Sequence, residues 1–346
     1  MKILVSGGAG YIGSHTVIQL VAAGHDVVVV DNFSNAHPTV LGRMESLTGT
    51  AIAAHSFDLC DYDKTEHLFA SEGFDAVIHF AGYKAVGESV EKPLDYYENN
   101  LGSTFSLVRA MQKHDVDKLV FSSSATVYGT DQAGATEDRP TFATNPYGWT
   151  KVMQEQILRD VAAASPQSRF ALLRYFNPVG AHESGTIGED PSGIPNNLMP
   201  FIAQVAVGKR DKLMVFGDDY DTVDGTGVRD YIHVEDLAAG HIAALEAIQD
   251  TDVAVHTWNL GSGKGTSVLE MLAAFEKAVG RPLPYEIVPR RPGDIATSYA
   301  DPSKANRELG WSTQRSVDEM AADTWRWQSQ NPQGYATPGA GDAKVG

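Results

Sequence analysis

Tyr147 and Lys151 stand four residues apart in Tyr147-Gly148-Trp149-Thr150-Lys151, which puts a phenol and an ammonium on one face of a helix. A phenol ordinarily ionises near pH ~10. An ammonium beside it, joined by a positively charged nicotinamide ring, stabilises phenolate and brings that value toward neutrality. The pair therefore reads as a general base for a hydroxyl proton. The spacing alone is commonplace in a chain with 13 tyrosines, so its setting carries the argument. Asn145-Pro146 supplies an N-cap and a first-turn proline. Ser122-Ser123-Ser124 closes the apolar stretch from Lys118. Ligands of open α/β sheets bind at the carboxyl ends of strands. One serine hydroxyl there can bridge a substrate hydroxyl and Tyr147, although such a triplet is also an ordinary polar strand exit.

The second constellation is Gly7-Gly8-Ala9-Gly10-Tyr11-Ile12-Gly13, which follows a strand and opens a helix. Gly7, Gly10 and Gly13 fit G-x-x-G-x-x-G; Gly8, Gly10 and Gly13 fit G-x-G-x-x-G. Glycines permit a tight turn and close backbone approach, so a pyrophosphate can sit on the helix N-terminus. Asp31 ends the next strand, where a carboxylate binds ribose hydroxyls and repels the 2′-phosphate of NADP. No arginine precedes Arg43. The dinucleotide expected is NAD.

These residues need elements to position them. Apolar runs predict strands at Ile3–Ser6, Val27–Asp31, Val77–Phe80, Lys118–Ser122 and Phe170–Tyr175, alternating with helices at Tyr11–Ala23, Pro93–Lys113 and Tyr147–Ala164. Runs such as Val27-Val28-Val29-Val30 suit a parallel sheet covered on both faces. The fold class is α/β: a Rossmann-type doubly wound parallel sheet with a smaller α/β substrate-binding C-terminal domain. The division expected is residues 1–175 for the dinucleotide and 176–346 for the substrate, with segments near 230–260 returning to the first domain. Helices are expected at Leu198–Val207, Val234–Ala247 and Val268–Val279, and a frayed end at Pro338–Gly346.

Lys and Arg number 27 against 44 Asp and Glu, a formal charge of −17. Such a surface repels nucleic acid and anionic membranes, so neither is an expected partner. Cys60 is the only cysteine, which excludes an intrachain disulfide and a Cys-based zinc site. The eleven histidines show no paired ligand spacing. No metal is expected, and His79 reads as a core residue. No charged-then-apolar leader precedes the first strand, and no apolar run approaches the ~20 residues of a membrane span. A cytoplasmic location is the expectation.

From residue 2 to about 335, the chain resembles the extended short-chain dehydrogenase/reductase family, and within it the enzymes acting on nucleotide sugars. The resemblance rests on Gly7–Gly13, Asp31-Asn32, Phe80-Ala81-Gly82-Tyr83-Lys84-Ala85-Val86-Gly87-Glu88-Ser89, Phe121–Gly129 and Asn145–Lys151. It continues through Leu172–Gly180, Gly193–Pro200, Gly225–His233 and Arg290–Asp294. It implies Ser124, Tyr147 and Lys151 as the catalytic trio. For NAD it implies Gly7, Gly10, Tyr11, Ile12, Gly13, Asp31 and Asn32, with Asp58 and Leu59 at the adenine. Phe80, Ala81, Gly82, Lys84 and Asn99 line the rest, and Ser122, Tyr147, Lys151 and Tyr175 complete the cofactor set. Toward the sugar it implies Lys84, Ser124, Ala125, Thr126, Tyr147, Phe176 and Asn177. The UDP falls to Asn197, Leu198, Phe216, Arg229, Tyr231, Arg291 and Asp294. Arg229 and Arg291 also fit a diphosphate by their own chemistry, as planar, permanently charged forks.

The implied reaction is C4 epimerisation, which interconverts UDP-galactose and UDP-glucose through a transient 4-keto sugar beside bound NAD. Dehydratases of this family place Asp-Glu after the catalytic hydroxyl, whereas this chain has Ala125-Thr126. An NDP-sugar 4,6-dehydratase and a non-catalytic NAD-binding sensor protein are the alternatives. Ser298 is small where relatives restricted to plain hexoses often carry Tyr. UDP-GlcNAc and UDP-GalNAc are therefore expected as further substrates, unless Tyr299 fills the space. The resemblance also implies a homodimer packed through the Pro93–Lys113 and Tyr147–Ala164 helices.

Overall fold

In the computed structural model, residues 1–130, 132–191, 193, 195, 197–291 and 293–335 are described. Within the central strands, side chains alternate between two cores. Ile3, Val5, Val27, Val29, Ile78, Ala171 and Leu173 pack on one face. Leu4, Val28, Val30, Val77, Phe121, Phe170 and Leu172 pack on the other. Successive strand residues point to opposite faces, so an unbroken apolar run must be covered twice. Each such Val, Ile, Leu or Phe side chain, fully buried, contributes about 1.5–3 kcal/mol. The helices Tyr11–Ala22, Thr39–Thr48 and Val234–Ala247 cover the first face. Tyr62–Glu72, Pro93–Lys113 and Pro146–Ala164 cover the second.

In chain order the strands are β1 (Lys2–Ser6), β2 (Asp26–Asp31), β3 (Ala53–Ser56), β4 (Ala76–His79), β5 (Lys118–Ser124), β6 (Ala133–Ala135) and β7 (Arg169–Tyr175). There follow β8 (Asn177–Val179), β9 (Leu213–Phe216), β10 (Val228–His233), β11 (Val255–Leu260), β12 (Gly265–Ser267), β13 (Tyr285–Val288) and β14 (Thr297–Ala300). Seven form one parallel sheet in the order β11-β7-β5-β4-β1-β2-β3. The order reverses at β1, between β2 and β4, and the crevice above such a point is where ligands of doubly wound sheets bind.

A second sheet runs β12-β10-β14-β6, with β8 on β10, and β9 pairs with β13. Its core includes Met199, Ile202, Val215, Tyr231, Met271, Phe275 and Met320. β10 carries Arg229 and Tyr231. The carboxylate of Asp230, between them, accepts from the N–H groups of Ser262, Gly263 and Ala300 and from the Ser262 hydroxyl.

The expected strands and helices are present within one or two residues of their predicted ends. The serine strand runs on to Ser124, so all three hydroxyls belong to a strand end. β4 stops at His79, one residue before the predicted end at Phe80. β3, β11 and the helices Thr39–Thr48, Tyr62–Glu72 and Val317–Gln330 were not predicted. The expected fraying of Pro338–Gly346 lies outside the described residues.

Candidate active site

The glycine loop joins β1 to the first helix in a bend that side chains cannot enter. Gly7 has φ +69°, and a Cβ there would stand 2.8 Å from the Ala81 nitrogen. At Gly13 a Cβ would stand 2.3 Å from the Gly7 carbonyl oxygen. Gly10 caps the helix without a side-chain hydrogen bond, and no carboxylate occupies the first turn. The amide end of this helix dipole suits an anion. Asp31, at the end of β2, accepts from the N–H of Ala9 at 3.1 Å and of Phe33 at 2.9 Å. Burial pushes its carboxyl up, and these two amides pull it down.

Other cofactor candidates are distributed around this loop. Tyr11 donates its hydroxyl to the Gly180 carbonyl at 2.7 Å, and Ile12 packs against the core. Asn32 caps the N–H of Ser34; Asp58 is exposed and accepts from Cys60 N–H, while Leu59 is buried. Phe80 lies 4.7 Å from the His241 ring, and Ala81 is the residue against which Gly7 packs. Gly82 abuts the carboxamide of Asn100. Asn99 donates to that same carboxamide at 2.9 Å.

At the carboxyl end of β5 the three serines divide their work. Ser122 pairs its hydroxyl with Tyr175, and its carbonyl accepts from Lys151 Nζ at 2.7 Å. Ser123 donates to Glu155 at 2.5 Å. Ser124 lies near enough to Tyr147 to favour its ionised form, and accepts from Thr126 N–H at 3.2 Å. Asn145 accepts from Gly148 N–H at 2.9 Å and Pro146 opens the helix, which sets Tyr147 in its first turn. Ala125 and Thr126 form a short 3₁₀ turn, and the buried Thr126 hydroxyl has no hydrogen-bond partner among the described residues.

Within the protein alone, burial opposes the lowering of the phenol expected from Lys151 and the nicotinamide ring together. Lys151 lies 6.0 Å from the centre of the Tyr147 ring and is engaged with the Ser122 carbonyl. Burial pushes Tyr147 up, with only the neighbouring Ser124 acting downward. Burial lowers Lys151 itself to about 7, opposed by the Glu155 carboxylate. Among protein atoms alone, the lowering of Tyr147 is not yet in place.

The substrate candidates gather on β8, β10, β14 and the loops beside them. Phe176 is buried, and Asn177 donates to the Asp230 carbonyl at 3.0 Å. Arg229 pairs with Asp294 at 2.5 Å. Arg291 approaches the other oxygen of Asp294 at 3.3 Å and stacks 4.6 Å from the ring centre of Phe216. Tyr231 is buried, which pushes its phenol up to about 12. Leu198 begins a helix. One oxygen of Glu189 holds both Lys84, at 3.3 Å, and Asn197, at 3.1 Å. Ser298 is buried and donates to Gln132 at 2.6 Å; Tyr299 places its ring against Gly134.

Sequence reasoning missed Asn100, Glu155, Arg174 and Glu189. Asn100 bonds the backbone of Tyr83 in both directions, at 2.7 and 3.0 Å, and donates to Thr150 at 3.1 Å. It thereby ties the Phe80–Lys84 loop to the catalytic helix. Only Glu155 left a signal, its i,i+4 spacing from Lys151. His79 is buried between Ser6 and Thr104.

The pattern of the NAD dependent epimerase/dehydratase family matches residues 3–261. A UDP-glucose 4-epimerase of Bacillus subtilis (strain 168) is 59% identical over 336 residues, covering 97% of this chain and 99% of the relative. The crystal structure of UDP-glucose 4-epimerase from Bifidobacterium longum, in complex with NAD+ and UDP, is 56% identical with a TM-score of 0.93. That match covers 97% of this chain and 100% of the other. A Stenotrophomonas maltophila UDP-glucose 4-epimerase with bound NAD and formylated UDP-arabinopyranose gives a TM-score of 0.93 at 50% identity, covering 96% and 99%.

Proposed function

The chain belongs to the NAD-dependent epimerase/dehydratase family, and we propose that it interconverts UDP-galactose and UDP-glucose by inverting C4 of the hexose. The observation that carries the reading is the meeting of Ser124, Tyr147 and Lys151 at the carboxyl end of β5, which β4 separates from the strand-order reversal at β1. The glycine loop and Asp31 fit NAD: the Gly7 and Gly13 positions leave no room for a Cβ, and a carboxylate stands at the ribose end.

Bound NAD supplies a hydride acceptor and donor for C4 of the sugar. Tyr147 takes the proton of the 4-hydroxyl, through or beside Ser124, and returns it to the oxygen on the opposite face. Lys151 keeps the phenolate stable while it carries that charge. Arg229 and Arg291 exchange part of their contact with Asp294 for the diphosphate, which anchors the nucleotide while the planar 4-keto hexose turns. The Thr126 hydroxyl, without a partner among the described residues, supports a sugar contact at the same place. Because Ala125 and Thr126 offer no carboxylate, the elimination of a dehydratase lacks its acid. The sensor alternative lacks support, since the trio is complete.

A second substrate pair, UDP-GlcNAc and UDP-GalNAc, is supported by Ser298. Neighbouring strand residues face opposite ways, and the Tyr299 ring lies against Gly134 rather than beside the serine. A second copy of the chain is the proposed partner. Its support is apolar exposure on the two helices beside the site, at Leu94, Phe105 and Met153. Among the described residues no helix is long and apolar enough to cross a membrane. A cytoplasmic location belongs to the proposal, supported by a fold that rests on no disulfide.

The test is conversion of UDP-galactose to UDP-glucose by purified protein without added NAD. Conversion supports the reading; no conversion at full NAD occupancy overturns it in favour of the sensor.

A further inference from the structure

Behind the serine strand lies a buried charge pair that the proposed chemistry does not use. Glu155 stands one turn beyond Lys151 and, like Arg174 on β7, is almost wholly enclosed. Arg174 grips it with two bonds, Nε to Oε1 at 2.8 Å and Nη2 to Oε2 at 2.6 Å. Ser123 adds its hydroxyl to Oε1 at 2.5 Å. The remaining arginine nitrogen donates to the Tyr128 hydroxyl at 3.1 Å and the Glu137 carbonyl at 3.2 Å. The Tyr128 hydroxyl in turn donates to the Asn259 side-chain oxygen on β11 at 2.6 Å. One ion pair therefore joins β5, the catalytic helix, β7 and β11.

A buried pair of this kind is weak evidence for stability, because desolvation offsets the attraction. Its neighbours give a better reason for its presence. Ser123 sits between Ser122, whose carbonyl receives Lys151, and Ser124, the strand-end hydroxyl on the Tyr147 side. Arg174 adjoins Tyr175, which bonds the Ser122 hydroxyl.

We propose that Glu155, clamped by Arg174, is a positioning residue. Through Ser123 it fixes the β5 terminus against the catalytic helix, so that Ser124 and the Ser122 carbonyl meet Tyr147 and Lys151 in register. This rests on the epimerase reading. A second effect of Glu155 is electrostatic: its carboxylate favours the ammonium of Lys151 against burial. The groups around Lys151 are Tyr147 and Glu155 on its own helix, the Phe121 ring and Ser122 carbonyl on β5, and His79 on β4. Tyr175 on β7 reaches it through Ser122. Glu155 is the negative charge in that set.

Two variants separate the effects in the NAD-loaded enzyme. Ser123→Ala cuts the tie but leaves the ion pair. It is expected to lower kcat roughly ten- to a hundredfold, with KM for UDP-galactose and NAD content unchanged. Glu155→Gln is expected to move the alkaline limb of the kcat–pH profile to lower pH, since Lys151 then loses its proton earlier. General loosening of the fold lowers kcat at every pH and leaves the limb in place. Glu155→Gln/Arg174→Met removes both charges, so no lone arginine stays buried, and is expected to show a smaller shift in the same direction. Wild-type kcat in Ser123→Ala, or an unmoved limb in both glutamine variants, overturns the proposal. An inactive wild type would refute the reaction instead.

Discussion

Gly13→Ala tests the cofactor cradle at its tightest point. The added methyl would lie 2.3 Å from the Gly7 carbonyl oxygen, 2.8 Å from the Gly8 Cα and 3.1 Å from the Gly7 carbonyl carbon. All three are backbone atoms, so no flexible side chain can swing aside. The loop must move bodily, and overpacking of this kind costs about 1–3 kcal/mol of stability. A displaced amide also loses its bond to a charged phosphate, a further ~1.5–3 kcal/mol, roughly 10- to 100-fold in affinity. Gly42→Ala is the matched control. It lies exposed within the helix Thr39–Thr48, and its Cβ would meet nothing within 4 Å. There the change is expected to stabilise by about 0.5–1 kcal/mol. The assay is the nucleotide released on denaturing each purified protein, with thermal unfolding in parallel. Gly13→Ala should carry little NAD and melt early, and Gly42→Ala should carry the wild-type amount and melt slightly late. Full NAD content and normal turnover in Gly13→Ala would refute the cradle.

Arg229→Lys replaces a planar fork by a point charge. It is expected to raise KM for UDP-galactose roughly 10- to 100-fold, with NAD content unchanged, as one or two charge-assisted bonds are lost. Steady-state kinetics check this. Ser298→Tyr should remove turnover of UDP-GlcNAc and UDP-GalNAc while sparing the plain hexoses; undetectable N-acetyl turnover in the wild type would end that idea. Burial lowers His15 and His241 to about 4 and His79 to about 3. Unfolded, each binds a proton near ~6.5, so between that pH and its folded value unfolding takes up protons. Stability therefore falls as pH falls below ~6.5, by up to about 1.4 kcal/mol per pH unit per group. Melting temperatures between pH 7 and 5 should drop, and His241→Phe should flatten the slope.

The sheet was legible where Val, Ile and Leu runs end in capping residues. The helix Val268–Val279 matches its predicted ends because Ser267 and Glu270 form a capping box. β3 is Ala-Ala-His-Ser on the sheet edge, mostly exposed, and offers no apolar run to read. Tyr62–Glu72 buries only Thr65, Leu68 and Phe69 among polar residues, so its periodicity is faint. The catalytic spacing was legible because it is local. The clamp of Glu155 on Arg174 and the meeting of Lys84 with Asn197 on Glu189 were not, since tertiary packing alone brings them together. How Lys151 is engaged was not legible for a related reason. The sequence places Lys151 on the right face but says nothing of the Ser122 carbonyl that engages it.

The central claim is that C4 is inverted by removing and returning the same hydrogen. The direct measurement follows UDP-galactose deuterated at C4 through its conversion in ordinary water. The account predicts UDP-glucose that keeps the deuterium at C4, and Tyr147→Phe that forms almost none. Loss of the label to solvent would contradict it.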